Sequence, residues 1–194
     1  HISVSVVHPD MLEEGWVFDD SYPGATRDDL FGFKTLREIY QRADPNVTTS
    51  VTVPVLWDKK TSSIVNNESS EIIRMFNFSF NEITGKVEDY YPEEKKVEID
   101  ALNEKIYSTI NNGVYRAGFA RIQEAYDAAV NTLFSTLDEL EELLETRSYL
   151  LGDDVTEADI RLIPTLLRFD IVYVNHFKCN VRRIKDYKNL SRYT

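Results

Sequence analysis

A β-branched run, Val51-Thr52-Val53, is stopped by Pro54, and the next short apolar segment, Ser63-Ile64-Val65, gives way to the acid-hydroxyl sequence Glu68-Ser69-Ser70. Few local patterns narrow a fold as much. Proline carries no N–H, so the Val53 backbone stays free to pair with something other than a neighbouring strand. A helix opening at Glu68-Ser69 offers unpaired N–H groups and a hydroxyl to a carboxylate, and an acid to an amine. One extended peptide with an amino-acid-like end would be held by both.

The chain around this pair has 194 residues, 42% of them hydrophobic and 12% aromatic, enough for a real core in one large domain or two small ones. Its net charge of -11, with no local Lys/Arg cluster to reverse it, excludes a phosphate-backbone partner. No apolar run is long enough to span a bilayer, so no membrane partner is expected. A single cysteine, Cys179, rules out an internal disulfide framework and fits a reducing compartment, the cytosol by default. His1, His8 and His176 have no metal-ligand spacing, and no metal is expected. No Ser-His-Asp order, Gly-rich phosphate loop or nucleotide fingerprint is present.

Periodicity predicts a strand over Ile2 to Val7, a long acidic loop from Asp10 to Asp29 pinned by Trp16 and Phe18, and a short helix carrying Leu36, Ile39 and Tyr40. Strands over Val51 to Trp57 and Ser63 to Val65 follow, joined by a turn at Asp58-Lys59-Lys60-Thr61, then a helix over Glu68 to Phe76 with Ile72, Ile73 and Phe76 inward. Asn77 to Glu94 reads as a polar linker. After it all is helical. Val97, Leu102, Ile106 and Ile110 line one helix that ends at Asn111-Asn112-Gly113, and Ala129, Leu133, Leu137, Leu140 and Leu144 line a longer one. Asp138, Glu139, Glu141 and Glu142 read as the solvated face of the second. Thr156-Glu157-Ala158-Asp159 has the form of a capping box, and Pro164 stands inside the helix it opens, with no evident compensation. The chain starts directly in an apolar strand and stops at the approach to another helix, as the inner part of a longer polypeptide would.

Several blocks together carry a resemblance. Thr52 to Asp58, Ile64 to Arg74, Asn111 to Tyr115, Ala117 to Ala120, Gly15-Trp16, Phe18-Asp19-Asp20, and the stretch from Ala158 through Arg168-Phe169-Asp170 and Tyr173-Val174 to His176-Phe177-Lys178-Cys179-Asn180 resemble the Xi class of glutathione transferases, the glutathionyl-hydroquinone reductases. The fold class this implies is α+β/α, the glutathione-transferase fold. Residues 1–85 would form a thioredoxin-like glutathione-binding domain, here lacking its first strand and helix, and residues 86–194 an all-helical domain incomplete at its end.

The resemblance also implies a chemistry. A cysteine thiolate attacks the sulfur of a glutathionyl-hydroquinone, releases the hydroquinone, and is regenerated by a second glutathione. Glutathione is thus the co-substrate and a glutathionyl-hydroquinone or similar small electrophile the partner, in a homodimeric enzyme. The family's Cys-Pro-Trp-Ala motif is absent, which places the nucleophile upstream of His1 and leaves no catalytic residue in this chain. Cys179 reads as a packed small hydrophobe. Val53 would pair through its backbone with the cysteinyl part of glutathione, the peptide before Pro54 being cis. Glu68 and Ser69 would bind the γ-glutamyl end, against the plainer reading of a helix start capped by Asn67. Trp16 would stack near glutathione, or simply anchor its loop. Tyr115 would face the hydroquinone oxygen, ahead of Tyr107, although one of 11 tyrosines can equally serve packing. A cationic contact expected before Val51 is replaced by Thr48-Thr49-Ser50. The alternatives are an omega-like thiol transferase or dehydroascorbate reductase, and a non-catalytic glutathione-transferase-like module.

Overall fold

Thr35 and Glu38 open the first helix. The Glu38 carboxylate accepts from the Thr35 N–H (2.8 Å) and the Lys34 N–H (3.0 Å), a capping box at the start of α1, Leu36–Ala43. The computed structural model describes residues 2–194. They divide into two compact units, one ending at Met75 and one running from Phe76 to Thr194.

In the first unit α1 buries Leu36, Ile39 and Tyr40, and Trp16, Phe18, Phe33, Trp57 and Ile64 pack against them. Strands β1, Leu56–Asp58, and β2, Ser63–Asn66, pair antiparallel with Trp57 opposite Ile64. The Lys60 N–H donates to the Asp58 carboxylate (2.7 Å) in the turn between them. The long acidic loop is ordered by a buried acid. Asp28 accepts from the N–H groups of Leu30 (2.9 Å), Phe31 (3.1 Å) and Phe33 (3.0 Å).

One expected strand is not in a sheet, and another joins one only at its end. Residues 2–7 are extended, but their bonds run to the loop: Val6 exchanges bonds with Thr26, its N–H to the Thr26 Oγ1 (2.9 Å) and its C=O from the Thr26 N–H (2.8 Å). The His8 N–H goes to the Val17 carbonyl (2.8 Å). The ladder expected from Val51 begins only at Leu56, because the Tyr40 hydroxyl occupies both backbone groups of Thr52 and Pro54 has no N–H to give.

Helix α2, Ser69–Phe78, runs across the division between the units. Ile72 is buried within it, whereas Phe76 is half exposed. The segment read as linker contains α3, Asn81–Thr84, and a 3-10 turn at Glu93–Lys95, and it is tied down by the buried Asn77, which donates to Asp89 (2.7 Å) and accepts from the Tyr90 N–H (2.9 Å). Helix α4, Lys96–Ile106, buries Ile99, Asn103 and Ile106, while Val97 is 84% exposed. The inward stripe passes through a polar residue, since the Asn103 amide donates to the buried Glu157 carboxylate (2.9 Å), and that displaces the apolar face from the one periodicity selects.

The helix does not end at Gly113. It widens into a π turn at Tyr107–Asn111, closed by the Asn112 N–H on the Tyr107 carbonyl (2.8 Å), and continues as α5, Gly113–Gly118. Then come α6, Gln123–Leu143; α7, Glu157–Arg168; a second π turn at Phe169–Tyr173; α8, Val174–His176; and α9, Lys188–Tyr193. Ile106, Ile110, Leu133, Leu137, Leu144, Leu162 and Phe169 form the centre of this unit.

The capping box at α7 forms, and Asp159 does more than cap. Its carboxylate takes the Thr156 N–H (2.8 Å) and hydroxyl (2.9 Å), the Leu150 N–H (2.9 Å) and the Tyr193 hydroxyl (2.8 Å), all in a fully buried position. Helix α7 passes through Pro164 with a side-chain clasp beside it: Asn111 donates to the Arg161 carbonyl (3.1 Å) and accepts from the Thr165 hydroxyl (3.0 Å). The acids of α6 are not merely solvated. Glu141 accepts from the N–H groups of Asn189 (2.8 Å) and Leu190 (2.7 Å) at the start of α9, Asp138 accepts from the Tyr187 hydroxyl (2.9 Å), and Glu139 pairs with Lys105.

Gly118 is required by its neighbour, because a Cβ there would lie 2.4 Å from the Phe177 ring. Gly118→Ala should therefore destabilise the protein by about 1–3 kcal/mol, read as a lower urea midpoint with an unchanged slope. An unchanged midpoint would show that Phe177 can move aside freely.

Candidate functional site

One buried hydroxyl joins the two halves of the motif on which the sequence turns. Tyr40, 4% exposed, donates to the Thr52 carbonyl (3.0 Å) and accepts from the Thr52 N–H (3.3 Å) and from the Asn67 side-chain amide (3.0 Å). The Asn67 amide also donates to the Thr52 Oγ1 (3.2 Å). One donor and two acceptor sites are all a phenol has, and all are used. Residue 52 precedes Val53 and residue 67 precedes Glu68, so this clasp ties the Val53-Pro54 bend to the start of α2.

Val53-Pro54 is a cis peptide. Val53 is 42% exposed, and among the described residues nothing pairs with its N–H or C=O. At α2 the Asn66 Oδ1 accepts from the Glu68 N–H (2.6 Å) and its amide donates to Glu71. The Glu68 Oε1 turns back to accept from the Ser70 N–H (3.2 Å) and hydroxyl (3.0 Å). Glu68, not Asn67, therefore caps this helix. Among the described residues nothing accepts from the Ser69 N–H or hydroxyl, and nothing donates to the Glu68 Oε2. The bend can pair with an extended peptide; Ser69 and the helix end can receive a carboxylate, and Glu68 an amine. Trp16 is half-buried against the Leu36, Ile39 and Tyr40 cluster, and its carbonyl accepts from the Leu36 N–H (2.9 Å), so this residue does anchor its loop.

Tyr115 belongs to the second unit, within α5 rather than beyond a helix end. It is 42% exposed and sits in an aromatic cluster, with ring centroids 6.3 Å from Phe119, 5.9 Å from Tyr173 and 5.2 Å from Phe177. Burial, and the Tyr173 hydroxyl beside it, push its phenol up to about 12. At neutral pH it keeps its proton and serves as a hydrogen-bond donor. Tyr107 stands apart on the first π turn, 56% exposed.

Known proteins match almost the whole chain in sequence and in fold. The family described as glutathione S-transferase, C-terminal domain, matches residues 123–194. Glutathionyl-hydroquinone reductase YqjG of Escherichia coli (strain K12) is 59% identical over 189 residues, 97% of this chain and 58% of that protein. The glutathione-bound structure of YqjG matches with a TM-score of 0.94 at 58% identity, over 96% of this chain and 60% of that one. Glutathione transferase Xi 1 from Trametes versicolor matches with a TM-score of 0.94 at 53% identity, over 97% of this chain and 67% of that one. The chain belongs to the Xi class of glutathione transferases.

This Xi-class chain thus has the glutathione-transferase fold, a thioredoxin-like part with a small sheet and an all-helical part, and it spans 58% of the length of YqjG. Its cysteine is not poised for chemistry. Cys179 is fully buried, with its sulfur 4.0 Å from the Val114 carbonyl, and burial pushes the thiol up to about 11. His8 accepts from the Asp10 N–H (3.1 Å), and His1 lies outside the described residues.

Sequence reasoning missed Tyr40, Thr52 and Asn67 as the frame of the site. Tyr40 reads as one more apolar residue of a short helix, and only a tyrosine among aliphatic core positions hints that a hydroxyl is wanted there. Phe119, Tyr173 and Phe177 were likewise inside matched blocks with no role attached. A thiol reagent at pH 8 should leave native Cys179 unlabelled and modify it fully once the chain is denatured. Labelling at the same rate in both states would contradict the burial.

Proposed function

We propose that this chain is the glutathione-gripping and helical portion of a reductase that removes glutathione from glutathionyl-hydroquinones. The observation that carries the reading is the match to glutathione-bound YqjG over 96% of the chain, together with the Val53 and Ser69 groups that have no partner among the described residues. In this reading residues 1–85 are the thioredoxin-like glutathione-binding domain and residues 86–194 the helical one.

The thiolate of a cysteine upstream of this chain attacks the glutathionyl sulfur of the substrate. The bond from that sulfur to the hydroquinone carbon breaks, the carbon takes a proton, and the hydroquinone leaves. The enzyme cysteine and glutathione remain as a mixed disulfide, which a second glutathione thiolate resolves to glutathione disulfide. Two electrons pass from the pair of thiols to the carbon. Val53 pairs with the cysteinyl backbone, Glu68 and Ser69 take the amine and carboxylate of the γ-glutamyl end, Trp16 lines the glutathione, and Tyr115 donates to a hydroquinone oxygen. Homodimeric assembly and a cytosolic location accompany the reading.

The test is the full-length protein assayed with glutathionyl-benzohydroquinone and, in parallel, hydroxyethyl disulfide. Hydroquinone and glutathione disulfide should appear in equal amounts, with the disulfide substrate turned over poorly. Ser69→Ala should raise KM for glutathione up to about tenfold with kcat little changed, as the loss of a hydrogen bond to a charged group does. A preference for hydroxyethyl disulfide would favour an omega-like thiol transferase. No turnover of either substrate would leave a non-catalytic module.

A further inference from the structure

Phe177 packs on bare backbone. It follows α8 directly and lies against Gly118, the last residue of α5, where a Cβ would come within 2.4 Å of its ring. Glycine at 118 therefore lets the ring sit deeper than any other residue there would allow. From that seat it meets three other rings: Tyr115 edge-on, with centroids 5.2 Å apart and planes at 62°, Phe119 at 5.3 Å and Tyr173 at 5.5 Å.

The backbone that carries Phe177 is tied on both sides. Its own N–H and the Cys179 N–H both donate to the Tyr173 carbonyl, at 3.2 and 3.0 Å. Between them Lys178 takes a φ of 58°, a left-handed conformation uncommon for a residue with a Cβ, and its carbonyl accepts from the Tyr126 hydroxyl (2.7 Å). Cys179 then enters the core, fully buried. Tyr173 is fixed as well, 2% exposed, with its hydroxyl accepting from the Arg168 Nε across the second π turn (3.3 Å). Phe177 is a rigid plate rather than a side chain free to follow its neighbours. Tyr115, by contrast, is 42% exposed and stands on a helix of six residues. A change of its χ1 well would carry the hydroxyl far from any one substrate atom.

The geometry points to Phe177 as a positioning residue: seated on Gly118, it holds the Tyr115 ring in one rotamer, so that the phenol is already in place when the hydroquinone oxygen arrives. The inference rests on the assignment of Tyr115 as the substrate-facing phenol. Phe177 acts through Tyr115 and not on the substrate, and Gly118 acts through Phe177.

A double-mutant cycle in the full-length protein decides it, with glutathionyl-benzohydroquinone as substrate and kcat and KM measured separately. Tyr115→Phe and Phe177→Leu should each lower kcat by about tenfold, as the loss or misplacement of a group at the reacting centre does, with KM for glutathione unchanged. Phe177→Leu should add nothing further in the Tyr115→Phe background, where no hydroxyl remains to be placed. A purely structural Phe177 would lower kcat alike in both backgrounds. Should leucine leave the protein unfolded, Phe177→Met, which fills the space with a flexible chain, supplies the cycle with the same expected pattern. If Tyr115→Phe lowers kcat and the Phe177 variant is silent or purely additive, the positioning role is overturned and the Tyr115 assignment stands. If Tyr115→Phe is silent, both fall.

Discussion

The first unit depends on a single phenol. Tyr40 is the only group in it that touches both the Thr52 backbone and the Asn67 amide among the described residues, and the segments on either side have little else to fix them. The strand before Pro54 has no ladder of its own, and the start of α2 is exposed. Without the hydroxyl, the exposed Thr52 backbone and Asn67 amide would turn to water at little cost, and only the Asn67 amide on the Thr52 Oγ1 (3.2 Å) would still join the two residues. What the contact supplies is less stability than geometry: backbone groups of Val53 and the first N–H groups of α2, presented together before any ligand arrives. Binding groups held in place beforehand lose less freedom on association, and affinity gains by the difference.

The second unit uses departures from the regular α-helix for a comparable purpose. Its π turns at Tyr107–Asn111 and Phe169–Tyr173 each bring polar side chains into contacts that regular geometry denies. At the first, Asn111 reaches the Arg161 carbonyl and the Thr165 hydroxyl beside Pro164. At the second, Arg168 reaches Tyr173. Asp159, buried with four donors on its carboxylate, fixes the start of the helix between them. A proline in mid-helix, a buried acid and two widened turns would each count against a helix if met alone. Here each has a named partner.

Much of this was legible in the residues. The capping box at Thr156 and Asp159, the core of α6 and the inert Cys179 follow from local patterns with definite physical causes, and the cis bend at Val53-Pro54 from the family resemblance. Other features did not show because their causes are not local. The strand expected at 2–7 satisfies its backbone through Thr26 and Val17, which alternation of β-branched residues cannot reveal. Val97 is exposed because Asn103 belongs to the inward stripe, and an asparagine there makes sense only once Glu157 is known to lie buried opposite it. Gly113 reads as a helix stop but sits in a helix that runs on through a π turn, a spacing that carries no clear sequence signature. The acids of α6 look like a solvated face until α9 and Tyr187 arrive to use them.

The central claim is that a glutathione grip is assembled by the Tyr40 clasp rather than by the gripping residues themselves. Calorimetric titration of glutathione into the full-length protein and its Tyr40→Phe variant tests it most directly. The account predicts roughly tenfold weaker binding in the variant, from lost preorganisation, with a cooperative melt close to that of the parent. Equal affinity in the two proteins would contradict it.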